Sequence, residues 1–266
     1  MAIITISRGS YSRGKEVAEK VASRLGYDCL SRDIVLETAK QLHIPEVKLI
    51  RALHDAPSIL DRLIGGREKY VADFRRVLLQ HLKKDNVVYH GLAGQFFLKG
   101  VPHVLKVRIL ANRDQRVLEE MARENISSAE ALRIITTDDE ERRQWSQHLY
   151  GIDTWDPDLY NMVLKIGKLT IDSAVEIIVN AVKQPCFQTT EESRQKLNEL
   201  AFIAELQTQI DESSIVDVAF ANGELSVTLK APAKKRNDLE VKIRRITDGL
   251  PDVKTVSISF EPLSPF

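Results

Sequence analysis

Ala2 to Ser7 is a short run of apolar and β-branched residues, and the pattern predicts a buried strand. A polar stretch with two glycines follows, Arg8-Gly-Ser-Tyr-Ser-Arg-Gly-Lys15. Val17, Ala18, Val21, Ala22 and Leu25 then recur at helical spacing until Gly26 stops the pattern. From Arg32 to about Lys84 the periodicity is helical, with breaks at Pro45, Pro57 and Gly65-Gly66. Asn86 to His90 predicts a second strand, ended by Gly91-Leu-Ala-Gly94, and His103 to Leu110 a third. Asp114 to Asn125 reads as a charged helix. Ser127 and Glu130 fit a capping box that opens a helix running to Leu149. Tyr160 to Ile166 predicts a fourth strand, and Thr170 caps a helix carrying Ala174, Val175, Ile178, Val179 and Val182.

Near residue 184 the pattern changes. Gln184 to Glu192 lacks periodicity and reads as a linker, with a helix following over about 192–211. Val216, Val218 and Phe220 then alternate with polar or small residues, Asn222-Gly223 follows, and Leu225, Val227 and Leu229 alternate in turn. Asn-Gly between two alternating runs predicts a hairpin, because a type I′ turn needs two residues tolerant of positive φ. The expected pairs are Phe220 with Leu225, Val218 with Val227 and Val216 with Leu229. A helix near 234–248 and a strand near 253–260 complete an α-β-β-α-β module.

Strands alternating with helices predict an α/β fold with a mostly parallel sheet covered on both faces, and ligands bind such a sheet at the carboxyl ends of its strands. The expected division is a first domain at 1–183, a linker at 184–191 and a small α+β module at 192–266. A chain of 266 residues accommodates two such units. Lys+Arg and Asp+Glu both number 38, so bulk charge does not point to nucleic acid as a partner. Cys29 and Cys186, far apart, form neither a disulfide framework nor a metal motif, the pattern of a reduced cytoplasmic protein. The opening residues lack a basic n-region, and no run reaches 18 apolar residues, so neither a signal peptide nor a membrane span is expected.

The loop after the first strand carries the chemistry. Gly9-x4-Gly14-Lys15 fits the first part of G-x-x-x-x-G-K-[ST], a loop that aims backbone N–H groups and a helix N-terminus at phosphate. The last position is Glu16, which cannot play the Mg²⁺-binding hydroxyl. The six histidines show no metal spacing, and Ser7 and Ser10 have no His-Asp relay.

Residues 4–26, ITISRGSYSRGKEVAEKVASRLG, resemble the opening of the cytidylate-kinase-like family. Later pieces resemble it in order: Asn86 to Gly91, Val104 to Ala111, Asp139-x-x-Arg142 in a lid helix, Tyr150-Gly-Ile-Asp153, and Asp156-Pro-Asp-Leu-Tyr160. The resemblance covers about 1–183. It implies a P-loop nucleoside-monophosphate-kinase fold, with ATP and Mg²⁺ as cofactors and a parallel core, an acceptor-binding helical region and a mobile lid. It implies nucleotide-binding roles for Arg8, Gly9, Ser10, Ser12, Arg13 and Gly14. Lys15, Arg133, Arg142 and Arg143 would be the catalytic cations, and Asp33, His90 and Gly91 would meet the acceptor. Arginine suits a lid because it stays charged and donates in a planar fork. Arg142 and Arg143 alternatively pair with Asp138, Asp139 or Glu140 on a solvated helix.

The sequence departs from the family at three places, one of them after the first helix, where the family often has Asp and this chain has Ser31, with Asp33 two residues on. Counting back from Leu25-Gly26 without a gap puts Gly14 at the P-loop lysine position, whereas the literal motif chooses Lys15. Cytidylate kinases carry Gly-Arg after the second strand, and here the pair is Gly91-Leu92. Two functions are therefore expected: ATP-dependent phosphorylation of a nucleoside monophosphate, cytidylate-like, or a similar small acceptor, or nucleotide sensing by a scaffold that lost catalysis. The C-terminal module resembles a BON domain in element order, which implies a binding part with a protein or membrane-surface partner.

Overall fold

The structure, a computed structural model, describes residues 1–9, 12–43, 67–91, 94–210, 215–248 and 253–262. Ser10, Leu92 and the breaks expected at Pro45, Pro57 and Gly65-Gly66 lie outside them. Five strands, β1 (Ile3–Arg8), β2 (Asp28–Leu30), β3 (Val87–His90), β4 (Val104–Ala111) and β5 (Met162–Ile166), form a parallel sheet in the order β2-β3-β1-β4-β5. The four expected strands are present. The fifth, β2, is a three-residue edge strand, too short for an alternation to announce it.

The helices are α1 (Gly14–Leu25), α2 (Arg32–Gln41), α3 (Arg67–Leu82), α4 (Gly94–Phe97), α5 (Arg113–Glu124), α6 (Ser128–Tyr150), α7 (Ile171–Val182), α8 (Glu191–Gln209) and α9 (Ala233–Thr247). Their ends follow the sequence signals. Gly26 adopts φ 68°, and the next N–H, on Tyr27, donates to Ala22 O, which closes α1. The side chains of Asn112, Ser127, Thr170 and Thr190 each accept a backbone N–H in the first turn of the helix they open.

The central sheet buries both faces, which is why β1 and β3 read as continuous apolar runs. On one face Ile4, Ile6, Leu105, Val107 and Ile109 pack with Val17 and Val21 of α1 and Ile178 of α7. On the other, Ile3, Val87 and Val104 pack with Phe74 and Leu78 of α3. The second face also takes in Leu197, Ala201 and Ala204, from α8.

The C-terminal strands β6 (Ile215–Ala221), β7 (Glu224–Lys230) and β8 (Thr255–Glu261) form a separate sheet, β6-β7 antiparallel and β7-β8 parallel. Asn222 and Gly223 have φ of 55° and 86°, as the hairpin turn demands. Phe220 faces Leu225 and Val218 faces Val227 as expected. The third pair is Ile215 with Leu229 rather than Val216, because the register shifts between Ile215 and Asp217.

Leu206 and Ile210, at the end of α8, belong to this second core, and Phe202 lies 4.6 Å from Phe220 between ring centroids. One helix thus closes two cores. The aperiodic stretch before it is tethered as well. Pro185–Phe187 form a 3-10 turn, Thr189 N–H donates to Met1 O at 2.8 Å, and the Thr189 hydroxyl lies 2.6 Å from Asp85 Oδ2.

Candidate active site

β1 delivers Arg8 and Gly9 at its carboxyl end, and α1 begins at Gly14 beside them. Arg13, the residue before α1, sits in the left-handed region at φ 58° and offers no side-chain cap to the first turn. The helix N-terminus, with its partial positive charge, is therefore without the side-chain oxygen that α5, α6, α7 and α8 carry. Gly14 is required by sterics: a Cβ there would stand 2.6 Å from Arg8 Cβ. Position 14 has no room for a lysine, and Lys15 is the cation at the helix start.

Cations gather here without carboxylate partners. Arg8 is half-buried and makes no ion pair with any described residue; burial first, then the nearby Arg142 guanidinium, lowers its pKa. Arg142 projects from α6 and also has no ion pair among the described residues. His90, at the end of β3, is only 5% exposed, and its Nδ1 has no hydrogen-bond partner among the described residues. Burial, then Arg8 and Lys15, push its pKa down to about 4, so the ring is neutral at pH 7. The Ser12 hydroxyl is buried and also unpartnered. Orphaned donors beside like charges mark a place that an anion would complete.

The other expected residues are placed differently. Lys15 is 62% exposed and reaches Glu19 at 3.6 Å. Arg13 is held by Glu119 of α5 at 2.8 Å. Arg143 grips Asp153 with Nη2 at 2.7 Å and Nε at 3.1 Å and lies over Trp155, tying α6 to the segment behind it. Neither it nor Arg142 makes an ion pair with Asp139 or Glu140; Asp139 pairs with Arg116 at 2.8 Å. Arg133 is exposed, nine residues before Arg142 on α6, about 14 Å along the axis, and has no described partner. Asp33 is exposed in the first turn of α2. Gly91 is needed because a Cβ would overlap the Tyr89 hydroxyl.

Beside Gly9 lies a cavity of about 360 Å³, lined by Gly9, Arg108, Arg116, Asp139, Trp155 and Lys165. Arg108 was not anticipated. It is 8% exposed, donates to Tyr160 Oη at 3.0 Å and to Thr154 O, and has no carboxylate partner among the described residues. Tyr160 in turn donates to Ser7 Oγ at 3.2 Å. The signal was present in HVLKVRIL, where Lys106 and Arg108 share one face of an otherwise apolar strand. Among the described residues no three His, Cys, Asp or Glu side chains converge as a metal cage. Glu16 faces Arg13 and Lys20 instead, at 3.6 Å each. The described residues hold no dedicated Mg²⁺ cage, and the chemistry of the donor set suits an anion.

Known proteins resemble this chain in sequence and in fold. A cytidylate kinase of Archaeoglobus fulgidus is 28% identical over 183 residues, which are 68% of this chain and 94% of that one. The crystal structure of an uncharacterized protein from Eubacterium ventriosum superimposes with a TM-score of 0.54 at 21% identity, over 68% of this chain and 97% of that chain, which supports the fold. The family model of the cytidylate kinase-like family matches residues 3–168, the span that runs from β1 past β5 and contains the loop, the orphaned cations and the helix that crosses them. With that model matching more than half of the chain, the chain belongs to the cytidylate kinase-like family.

Proposed function

We propose that the chain transfers the γ-phosphoryl group of ATP to a nucleoside monophosphate. The observation that carries this reading is the pair of guanidinium groups, Arg8 and Arg142, that face each other at the end of β1 with no ion pair among the described residues, beside an α1 that opens on Lys15. An oxygen of the acceptor phosphate attacks the γ-phosphorus, the bond to the β,γ-bridging oxygen breaks, and the nucleoside diphosphates leave. The attacking oxygen is already anionic, so no general base is needed; positioning and charge stabilisation suffice. The turn and the Ser12 hydroxyl would hold the donor phosphates, and Lys15 and Arg142 would meet charge spreading over the transferring group. His90, neutral, would offer a hydrogen bond toward the acceptor. Mg²⁺ would arrive on the triphosphate and screen its charge.

Glu16 and the Lys15–Glu19 pair favour the second reading, a nucleotide sensor without turnover. Thermal shift with nucleoside mono- and triphosphates, followed by turnover assays on any pair that binds, separates the two. The kinase reading predicts product, and Arg142→Ala lowering kcat far more than it raises KM. Binding without turnover for every pair would leave the sensor. Two unpaired cysteines fit a cytoplasmic setting, and no helix among the described residues is long and apolar enough to cross a membrane. The BON-like reading of the C-terminal sheet would make it the binding part, for a protein or membrane-surface partner.

A further inference from the structure

We propose a second ligand site, a groove between α4 and residues 151–161 that takes a phosphorylated polyol such as a sugar phosphate. It is separate from the cavity at Gly9, although both use one face of β4. Val104 and Lys106 line the groove, and Arg108 and Leu110 line the cavity. Between them stands Arg108, bonded to Thr154 and Tyr160. The groove measures about 710 Å³, within the size range of small-molecule sites.

Its charges are separated. Lys99, just after α4, and Lys106 of β4 line the groove; the Lys106 backbone is bonded to Asn161, but neither ammonium group has a hydrogen bond or ion pair among the described residues. Lys106 is half-buried, and its nearest charged influence is Lys99 rather than a carboxylate; burial and that repulsion lower its pKa. Two ammonium groups lining one groove, each without a carboxylate partner among the described residues, suit a phosphate, which lysine binds as a point charge. The other wall carries Asp153, Asp156 and Asp158. Arg143 neutralises Asp153, and Asp156 Oδ1 accepts the Asp158 N–H at 2.9 Å, which leaves the Asp158 carboxylate facing solvent. Carboxylates accept hydroxyl hydrogen bonds and repel a second phosphate. The groove therefore selects a molecule with one charged end and several hydroxyls, not a polyphosphate. This inference does not depend on the kinase reading.

The test is calorimetric titration of the full chain with ribose 5-phosphate, ribose and inorganic phosphate. The site predicts saturable binding of ribose 5-phosphate, tighter than either fragment. Lys106→Gln and Lys99→Gln should each weaken it about tenfold or more, the scale of one lost charge-assisted contact. Asp158→Asn should weaken it less, and Lys15→Ala should leave it unchanged. Lys99 is exposed and unbonded, so its variant keeps the fold even where Lys106→Gln disturbs it. Absence of binding overturns the proposal, as does equal affinity for ribose or for phosphate alone. Binding that is lost in Lys15→Ala but kept in Lys99→Gln places the ligand at the Gly9 loop and overturns it too.

Discussion

The turn at Gly9–Gly14 and the turn at Asn222-Gly223 are both short, glycine-bearing links, yet they spend their polarity in opposite ways. At the hairpin the local demands are met internally. Asn222 Oδ1 accepts from Gln195, the ladder bonds are paired, and Phe220, Leu225, Val227 and Leu229 are buried beneath helices. At the loop, Ser12 and His90 keep unpartnered polar atoms, and Arg8 faces another guanidinium. A satisfied turn contributes stability; an unsatisfied one lowers the stability of the free protein and gives an anion something to complete.

The sharpest way to break this contrast is truncation. If the two regions were independent, a fragment ending at Gln188 would fold like the first domain alone. Leu197, Ala201 and Ala204 of α8 lie in the core beneath α3, so that fragment should lose about 3–5 kcal/mol or fail to fold, whereas a fragment ending at Ile210 should be far less affected. Urea denaturation of the two fragments decides this.

Next, Leu225→Ala should cost about 2–5 kcal/mol in global or local unfolding and leave nucleotide affinity unaltered. A matching loss of affinity would tie the small sheet to the loop. Lys15→Ala should do the reverse, weakening triphosphate binding by about 1.5–3 kcal/mol with little change in melting temperature. Arg13→Ala should have a smaller effect on binding, because Glu119 already holds that guanidinium.

The last expected effect concerns pH. His90 titrates near 4 in the folded chain and near 6.5 unfolded, so the unfolded state binds the proton first as the medium is acidified. The stability this group contributes is complete above about pH 6.5 and declines toward pH 4, by roughly 2 kcal/mol at most near pH 5. His90→Gln should flatten that decline in urea midpoints measured at pH 7 and pH 5. An unchanged slope would mean that the ring is not held neutral.

Much of this was legible before the structure. The hairpin, the glycine stop at Gly26, the cap at Thr170 and the buried β1 rest on local chemistry, which a sequence displays. The bulge at Ile215–Asp217 depends on cross-strand register, and β2 on an edge supplied by β3, so neither has a local signature. At the site, Gly9 and Gly14 were found through spacing. The charged helix gave no means to tell Arg143, which grips Asp153, from Arg142, which faces Arg8; that choice is made by partners distant in sequence. Arg108 was hidden for the same reason, because a charge on a strand means little until the opposing segment, here Thr154 and Tyr160, is known.

The doubly used helix α8 also has a consequence for biosynthesis. A chain made from its N-terminus displays the greasy underside of α3 long before residues 197–204 exist to cover it. The sheet can assemble early, but that flank stays open until about 210 residues have left the ribosome, and the small sheet cannot close before the same helix is in place. Neither half therefore completes its core until α8 has emerged, and a chain stalled or clipped before it exposes a sticky face that chaperones and proteases can recognise.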